Sequence, residues 1–273
     1  MDRPDYKYFI DKQEEKQSQK IFYKFVVVLF IVYAFIFGIV FAYHANFEYV
    51  TINGCSMQPT LNVNPKYVDG DEVEDGVYIK LTHNVDYGDI IVINKTEEDS
   101  IIKRALAFGG DYVTIASINY DGNRDYRFMR IKEGSGEIEI INEDYILSYE
   151  EWNSKQGEIV NNVEYENILY TMFTYLDYQT KTFNLMLDGV QRDVVFFQIP
   201  EGDVFFMGDN RTGSFDARAS GTTSQKNILG YVVKVVYEGT FIKEDPIKWT
   251  FQQIKDFFSI IWEEILIFFG SNS

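Results

Sequence analysis

The chain contains 273 residues, of which 46% are apolar, so it has room for one or two modest domains but not for a large multidomain assembly. Its 42 acidic side chains outnumber 25 basic ones, and the resulting net charge of −17 repels phosphate backbones, so we expect no nucleic-acid partner. A single cysteine, Cys55, excludes an intramolecular disulfide.

An uncharged run of 19 residues occupies positions 25–43. At about 1.5 Å rise per residue, a helix of this length nearly crosses the bilayer's hydrocarbon core, which is about 30 Å thick. The run lacks the polar stripe of a buried helix in a soluble domain, and it exceeds the roughly 7 to 15 apolar residues of a cleaved signal peptide. We therefore predict a transmembrane anchor over residues 21–43, preceded by a cytoplasmic segment over residues 1–20.

Basic side chains predict the orientation of this anchor. Residues 1–43 hold 6 basic and 5 acidic side chains, which leaves 19 basic and 37 acidic side chains beyond. No Lys or Arg follows the apolar run until Lys66, whereas six precede it: Arg3, Lys7, Lys12, Lys16, Lys20 and Lys24. Because cytoplasmic flanks carry the excess of basic residues, we predict a single-pass protein of the cell membrane with its amino terminus in the cytoplasm and its main domain outside the cell.

The region beyond the anchor consists of short runs rich in Val, Ile, Tyr and Phe, separated by Gly, Asp and Asn. These runs do not alternate with helices of 10 to 15 residues, which argues against a parallel βαβ sheet. We predict a mostly β domain formed by residues 44–117 and 193–240. Residues 118–192, rich in Tyr, Asn, Asp and Glu, are predicted to form a small inserted β subdomain.

A helical pattern marks the tail, residues 241–273. Apolar residues recur there at spacings of three and four: Phe251, Ile254, Phe258, Ile261, Ile265 and Phe268. This amphipathic helix cannot span a membrane because Glu263 and Glu264 interrupt it, and its polar face lacks the Lys and Arg typical of helices on anionic lipid. Packing on the domain or on a partner helix is therefore favoured over immersion of Trp262, Phe268 and Phe269 in the membrane interface, and both alternatives stay open.

Catalytic residues can be sought by elimination. A serine hydrolase with a histidine base has only His44 and His83 available, and neither lies in a suitable context. No G-x-S-x-G motif occurs, and the histidines and the cysteine show no paired ligand spacing for zinc. We therefore expect no metal and no cofactor.

A lysine can replace histidine as the base if an apolar setting lowers its pKa by several units. Lys103 follows two isoleucines and precedes the apolar run 105–108, whereas most lysines here have polar neighbours. Ser56 lies between Gly54 and Pro59 in a turn that could expose its hydroxyl. Each signal by itself is weak, because a lysine commonly ends an apolar strand and a turn commonly contains a serine.

Four segments strengthen the case for Ser56 and Lys103 as catalytic residues, because they follow the predicted anchor in a fixed order. They are residues 56–61, 87–92, 103–111 and 208–218. Together they resemble the conserved boxes of bacterial type I signal peptidases of the Gram-positive kind. The resemblance covers residues 21 to about 117 and 193 to about 239, and it is thin over the insertion and the tail.

The resemblance implies roles for five residues at the centre of the site. Ser56 would be the nucleophile and Lys103 the general base, with Ser214 as the hydroxyl that orients the lysine. The Ser56 N–H, aided by Gly54, would stabilise the oxyanion. Met57 would line the pocket that admits small side chains before the cleavage point.

The resemblance also implies a set of supporting residues. Asp216 and Arg218 would form an ion pair near the site. Asp209 and Arg104 match supporting positions as well, and Asp89 and Asp111 match framework positions. The sequence departs from the family pattern at five positions that remove no atom of the Ser/Lys pair: Ala107, Gly109, Thr212, Gly213 and Ala217.

The implied protein is mostly β: a signal-peptidase-like β domain with an inserted small β subdomain, one amino-terminal transmembrane helix and a carboxyl-terminal amphipathic helix. Its implied activity is that of a membrane-anchored serine endopeptidase that removes signal peptides after Ala-x-Ala. Its partners would then be signal-peptide-bearing preproteins and membrane lipid; no oligomeric state is predicted. The alternative is a catalytically inactive relative that binds partners during assembly of surface structures, which the departures, the insertion and the tail keep open.

Overall fold

The computed structural model describes residues 5–62, 66–68, 71–95, 99–120, 123–146, 178–187, 189–211 and 213–236, with positions 255, 258–260 and 262 of the tail. The chain divides into two compact units, Met1–Phe47 and Glu48–Ser273.

The first unit is the helix α1, Asp5–Asn46. Its part Glu15–Asn46 contains an 18-residue window of mean hydropathy 3.0, and it is long and apolar enough to cross a membrane. None of that window is buried within the protein, as expected for side chains that face lipid. The helix begins well before the predicted span because the preceding segment is rich in Lys, Gln and Glu, which favour helix.

The second unit is built mainly of strands, which confirms the predicted mostly β class. A seven-stranded sheet has the order β1-β4-β14-β5-β6-β12-β13, a five-stranded sheet has the order β10-β11-β7-β8-β9, and β2 and β3 form a separate pair. The strands are β1 Phe47–Thr51, β2 Lys66–Val68, β3 Asp71–Val73, β4 Gly76–Leu81, β5 Ile90–Asn94, β6 Ser100–Phe108, β7 Tyr112–Tyr120, β8 Asn123–Ile131, β9 Ile138–Ile140, β10 Thr180–Leu187, β11 Val190–Gln198, β12 Asp203–Met207, β13 Thr223–Ser224 and β14 Ile228–Val236. A short helix α2, Ala217–Ser220, and a 3-10 turn, Gln225–Asn227, lie between β12 and β14.

The core of the second unit lies on both faces of the seven-stranded sheet. One cluster joins the two larger sheets and includes Phe128 of β8 stacked on Phe205 of β12, with ring centroids 5.6 Å apart. A second cluster, on the other face, contains Ile52, Met57 and Ile102. Alternation along β6 therefore sends Ile102 to one cluster and Ala105 to the other, as expected for a strand buried on both faces.

The five-stranded sheet contains the region predicted as an insertion. Its strands run from Tyr112 to Ile140 and from Thr180 to Gln198. The predicted limits at 118 and 192 fall within β7 and β11, which also pair with each other near Val113 and Phe197. Residues 147–177 lie outside the described residues, so an independent subdomain stays a prediction.

Little of the tail is described. Lys255, Phe258, Ser259, Ile260 and Trp262 are helical. Ile260 is buried, although the predicted apolar stripe does not include it, whereas Phe258 and Trp262 are exposed. The rest of the predicted amphipathic helix lies outside the described residues, and its amphipathic packing stays a prediction.

Candidate active site

Ser56 and Lys103 meet in the second unit. Lys103 lies on β6 opposite Ile91 of β5, and Ser56 lies in the turn that follows β1. The Lys103 Nζ is 2.7 Å from the Ser56 Oγ, and it also donates to the Ile102 carbonyl oxygen at 2.8 Å. Two residues 47 positions apart in sequence are thus in direct hydrogen-bond contact, which is the geometry that a nucleophile and its base require.

The Lys103 side chain is almost completely buried, with 4% of the residue exposed. The pKa of Lys103 falls from its ordinary value of 10.5 to about 8, mainly because the ammonium is buried; the negative charges of Asp216 and Asp209 oppose this fall, and the positive charge of Lys95 adds to it. About a tenth of the lysine is therefore neutral at pH 7, and the neutral amine can accept a proton.

This pKa predicts the pH dependence of any reaction in which Lys103 is the base. Activity should rise through about pH 8 as the lysine loses its proton, and it should fall about tenfold per pH unit below that value. The check is kcat/KM measured between pH 5.5 and 9.5 at constant ionic strength. If the acid limb of this pH profile had its midpoint near pH 10, Lys103 would titrate as an ordinary surface lysine, which would contradict its role as base.

Asn62 holds the turn that carries Ser56. Its Nδ2 donates to the Ile52 carbonyl oxygen at 2.7 Å and to the Gly54 carbonyl oxygen at 3.0 Å, and its backbone is left-handed with φ 55°. Gly54 has φ 87°, a conformation that favours glycine. The Ser56 N–H makes no hydrogen bond to any of the residues that the structure describes, so it is available for a ligand.

The turn 208–211 packs directly against the nucleophile. The Asn210 N–H donates to the Ser56 carbonyl oxygen at 3.1 Å, and Asn210 Nδ2 donates to the Cys55 carbonyl oxygen at 3.0 Å. A methyl group on Gly208 would overlap the Ser56 carbonyl oxygen and the Ser214 side chain. Only glycine therefore permits this close approach.

Asp216 and Arg218 form a buried ion pair beside the turn. Arg218 Nε and Nη2 each donate to one Asp216 carboxylate oxygen at 2.8 Å, and the Gly208 N–H donates to the same carboxylate at 2.9 Å. Burial alone would raise the pKa of Asp216, but these donors and the Arg218 charge hold it below its ordinary value. Asp216 thus stays charged and also caps the helix α2.

Arg104 and Asp209 form a second ion pair, next to the lysine on β6. Arg104 Nε and Nη2 donate to the Asp209 carboxylate at 2.9 and 2.6 Å, and the Arg104 Nη1 donates to the Gly88 carbonyl oxygen at 2.8 Å. Thr60 Oγ1 donates to the same carboxylate, whose side chain is fully buried. The pair therefore links four segments of the chain, at residues 60, 88, 104 and 209, around Ser56 and Lys103, which we call the dyad.

Comparison with known proteins identifies the family. Residues 22–237 match the family described as "Signal peptidase, peptidase S26". The chain belongs to this family. It is a hydrolase of the serine peptidase class, and the helix α1 makes it a membrane-anchored member.

Individual relatives extend along most of the chain. It is 28% identical to "Signal peptidase I" of Aquifex aeolicus (strain VF5) over 230 residues, which cover 79% of this chain and 84% of that protein. It is 26% identical to "Signal peptidase I U" of Bacillus subtilis (strain 168) over 226 residues, covering 81% and 91%. A crystal structure of a signal peptidase I from Enterococcus faecalis V583 matches 54% of this chain and 96% of that chain at 18% identity, with a TM-score of 0.30.

Other residues that the family resemblance singled out lie around the dyad. Met57 is 1% exposed and packs in the second cluster. Asp111 accepts hydrogen bonds from the Phe108 N–H and the Glu133 N–H, both at 2.9 Å, and Asp89 accepts one from the Asp86 N–H at 2.8 Å. These two carboxylates hold loops, and they do not contact the dyad. Burial is the main cause of a raised pKa for Asp89.

Ser214 lies beside Gly208, with its hydroxyl oxygen buried. The hydrogen bonds of the Lys103 Nζ run to the Ser56 Oγ and the Ile102 carbonyl oxygen. A hydrogen bond from Ser214 that orients the lysine therefore stays a prediction, and so does the oxyanion role of Gly54.

One departure from the family pattern has a structural reason. At Gly109, where the family usually has proline, the N–H donates to the Asp203 carbonyl oxygen at 3.0 Å. A Cβ at Gly109 would lie 2.7 Å from the Gly202 nitrogen and 2.9 Å from the Pro200 carbonyl oxygen. Proline would therefore lose a hydrogen bond and collide with backbone. Thr212, another departure, lies outside the described residues.

Sequence reasoning missed two residues that contact the site and assigned no role to a third. Glu143 and Tyr145 belong to the region 118–192, whose polar sequence shows little periodicity, and Arg211 belongs to the segment 208–218 that resembles the family. Glu143 pairs with Arg211 in a buried salt bridge. No spacing signal connects residues 68 positions apart, so only the tertiary structure reveals this contact.

Proposed function

We propose that this membrane-anchored serine peptidase removes signal peptides from exported preproteins, with Ser56 as nucleophile and Lys103 as general base. The observation that carries the proposal is the 2.7 Å distance between the Lys103 Nζ and the Ser56 Oγ. The lysine in this contact is only 4% exposed. A buried lysine whose pKa is about 8 can take a serine proton near neutral pH, whereas an exposed lysine cannot.

The chemistry follows from this contact. The Ser56 Oγ forms a bond to the scissile carbonyl carbon while its proton passes to the Lys103 Nζ, giving a tetrahedral oxyanion. The carbon–nitrogen bond then breaks, and the lysine returns the proton to the leaving amine of the mature protein. Water repeats the sequence on the acyl-enzyme, which releases the signal peptide as a carboxylic acid and restores Ser56.

The free N–H of Ser56 supports an oxyanion site. It makes no hydrogen bond within the described part of the chain, and it belongs to the same residue as the attacking oxygen. Gly54, two residues before, lacks a side chain that could crowd the approaching carbonyl oxygen, and a Cβ there would meet nothing within 4 Å. We assign the oxyanion to this turn.

Met57 supports a preference for small side chains, as in Ala-x-Ala. The residue follows the nucleophile, is 1% exposed, and packs against a cluster that includes Ile52, Leu61 and Ile102. A side chain held on all sides cannot move aside easily, because protein interiors are close-packed. A subsite that ends at Met57 would therefore accept alanine more readily than leucine.

The anchor supports a reaction at the membrane surface. A peptidase held by one helix and a preprotein held by its own apolar segment share the same membrane, which raises their effective concentration without any new contact. The charge difference around α1 favours a cytoplasmic amino terminus and an extracellular catalytic domain. Contact of the domain itself with lipid is part of this proposal.

Cleavage of a synthetic preprotein by the full chain in detergent or lipid vesicles tests the proposal. We expect one cut after Ala-x-Ala, mapped by mass spectrometry, and loss of that cut in Ser56→Ala. The matched control is Ser135→Ala, because Ser135 lies in an exposed turn and bonds only locally. No cleavage of several preproteins by the folded chain would instead favour an inactive relative that binds partners.

A further inference from the structure

A turn of the chain after β9, residues 142–146, reaches the active site with two side chains. Both guanidinium ends of Arg211 donate to the Glu143 carboxylate, Nη1 to Oε2 at 3.1 Å and Nη2 to Oε1. The Tyr145 hydroxyl donates to the same carboxylate at 3.1 Å. The Tyr145 ring covers the guanidinium of Arg104, whose Cζ lies 3.9 Å from the ring centroid. We call Glu143 and Tyr145 the clamp.

Both arginines that the clamp contacts also hold the turn 208–211. Arg211 Nε donates to the Gly208 carbonyl oxygen at 3.1 Å, and Arg104 donates twice to the Asp209 carboxylate. The next residue of the turn, Asn210, donates its N–H to the nucleophile's own carbonyl oxygen at 3.1 Å. A continuous set of contacts therefore connects the clamp to the backbone of the nucleophile.

The burial of these groups argues for a positioning role more than for a stabilising one. The Glu143 side chain is fully buried and that of Arg211 is 10% exposed. Removing two charges from water carries a large desolvation cost, so a buried pair is weak evidence for stability, whereas its fixed geometry restricts the groups it joins. Burial also raises the pKa of Tyr145, so its hydroxyl keeps the proton that it donates to Glu143.

We propose that Glu143 and Tyr145 are positioning residues of the dyad, which hold the turn 208–211 against Ser56 and thereby keep the Ser56 Oγ within hydrogen-bond distance of the Lys103 Nζ. The proposal rests on the proposed function of that site. The inserted region thus acts on catalysis through Arg104 and Arg211 and the turn 208–211 that they hold. A displacement of about 1 Å at a reacting pair can reduce a rate by about 100-fold, which sets the size of the expected effect.

Kinetics of clamp variants, measured on the full chain with a preprotein substrate, test the proposal. We expect Tyr145→Leu and Glu143→Gln to lower kcat by about 10- to 100-fold while KM changes less than about threefold. The acid limb of the pH profile should move upward from about 8, because a loosened turn admits water to Lys103 and raises the pKa of that lysine. Tyr145→Phe keeps the ring on Arg104 and should retain most of kcat.

The matched control is Glu139→Gln, which removes an ion pair with Arg130 between β9 and β8 of the five-stranded sheet, away from the dyad. This variant should leave kcat and the pH profile unchanged. If a clamp substitution only reduced the fraction of protein that is folded, the rate would fall while the acid limb of the pH profile stayed near pH 8. This result would overturn the positioning role. So would unchanged kinetics in folded Tyr145→Leu, which decides the question even if Glu143→Gln does not fold. Failure of the unaltered chain to cleave in a Ser56-dependent way would overturn the proposed function as well.

Discussion

Lys103→Met is expected to abolish preprotein cleavage, with a loss of at least about 10³-fold, while the protein becomes more stable. The activity falls because methionine has an unbranched side chain that matches the lysine chain up to Cε but carries no amine to accept the Ser56 proton. Stability rises because burial holds the pKa of Lys103 at about 8 instead of 10.5, which corresponds to about 3 kcal/mol of cost to the folded state.

The sign of the stability effect follows from proton binding. Below pH 8 the lysine is charged in both the folded and the unfolded chain, so the full cost of burying its charge is present at pH 7. The cost is relieved as the pH rises from about 8 towards 10.5, because only the unfolded chain then keeps the proton. Denaturant unfolding of Lys103→Met at pH 7 should therefore give a higher midpoint than the unaltered chain, with a smaller difference at pH 10.

Lys132→Met is the control for this prediction. Lys132 is partly exposed and pairs with Glu139 at 3.3 Å, away from the dyad. Its replacement should keep the activity and change the stability by less than about 1 kcal/mol. Substantial cleavage by Lys103→Met would remove Lys103 from the mechanism, and a lower unfolding midpoint would contradict its burial as a costly charge.

Gly208→Ala is expected to reduce kcat by about 100-fold or more. The added methyl group would overlap the Ser56 carbonyl oxygen and the Ser214 side chain. Relief of this overlap must move either the nucleophile's backbone or the turn 208–211, and both movements change the approach of the Ser56 Oγ to Lys103. The same strain should destabilise the domain by about 1 to 3 kcal/mol, as overpacking commonly does.

Gly38→Ala is the matched control for Gly208→Ala. Gly38 lies in α1, and a Cβ built there meets nothing within 4 Å. It should retain full activity, since the substitution is chemically identical and adds no overlap. Single-turnover cleavage and thermal unfolding of both variants in one detergent provide the comparison. Normal single-turnover rates in Gly208→Ala would show that the site tolerates displacement at this contact.

Local patterns in the sequence predicted the elements whose causes are local. The anchor followed from an uncharged run, because solvation by lipid requires consecutive apolar residues. The mostly β class followed from β-branched and aromatic runs separated by turn residues. Lys103 was a candidate because isoleucines precede it on a strand, and that strand proved to be buried on both faces.

Relations between distant residues escaped this reasoning. Arg104 and Asp209 are 105 positions apart. The family resemblance marked each of them as a supporting residue, but it did not predict that they pair with each other. Glu143 and Tyr145 lie in a polar stretch without clear periodicity, which gave no reason to single them out. Asn62 resembled an ordinary turn residue, although its side chain holds the loop that carries Ser56.

The sequence by itself thus determined the membrane anchor, the β class and the order of the segments that carry Ser56 and Lys103. The tertiary structure alone decided that these two side chains lie 2.7 Å apart, that burial lowers the pKa of the lysine, and that the turn 208–211 is held from both sides. The reason is physical. Apolar periodicity and turn residues determine structure over a few neighbouring residues, whereas desolvation and hydrogen-bond geometry depend on which distant segments the folded sheets bring together.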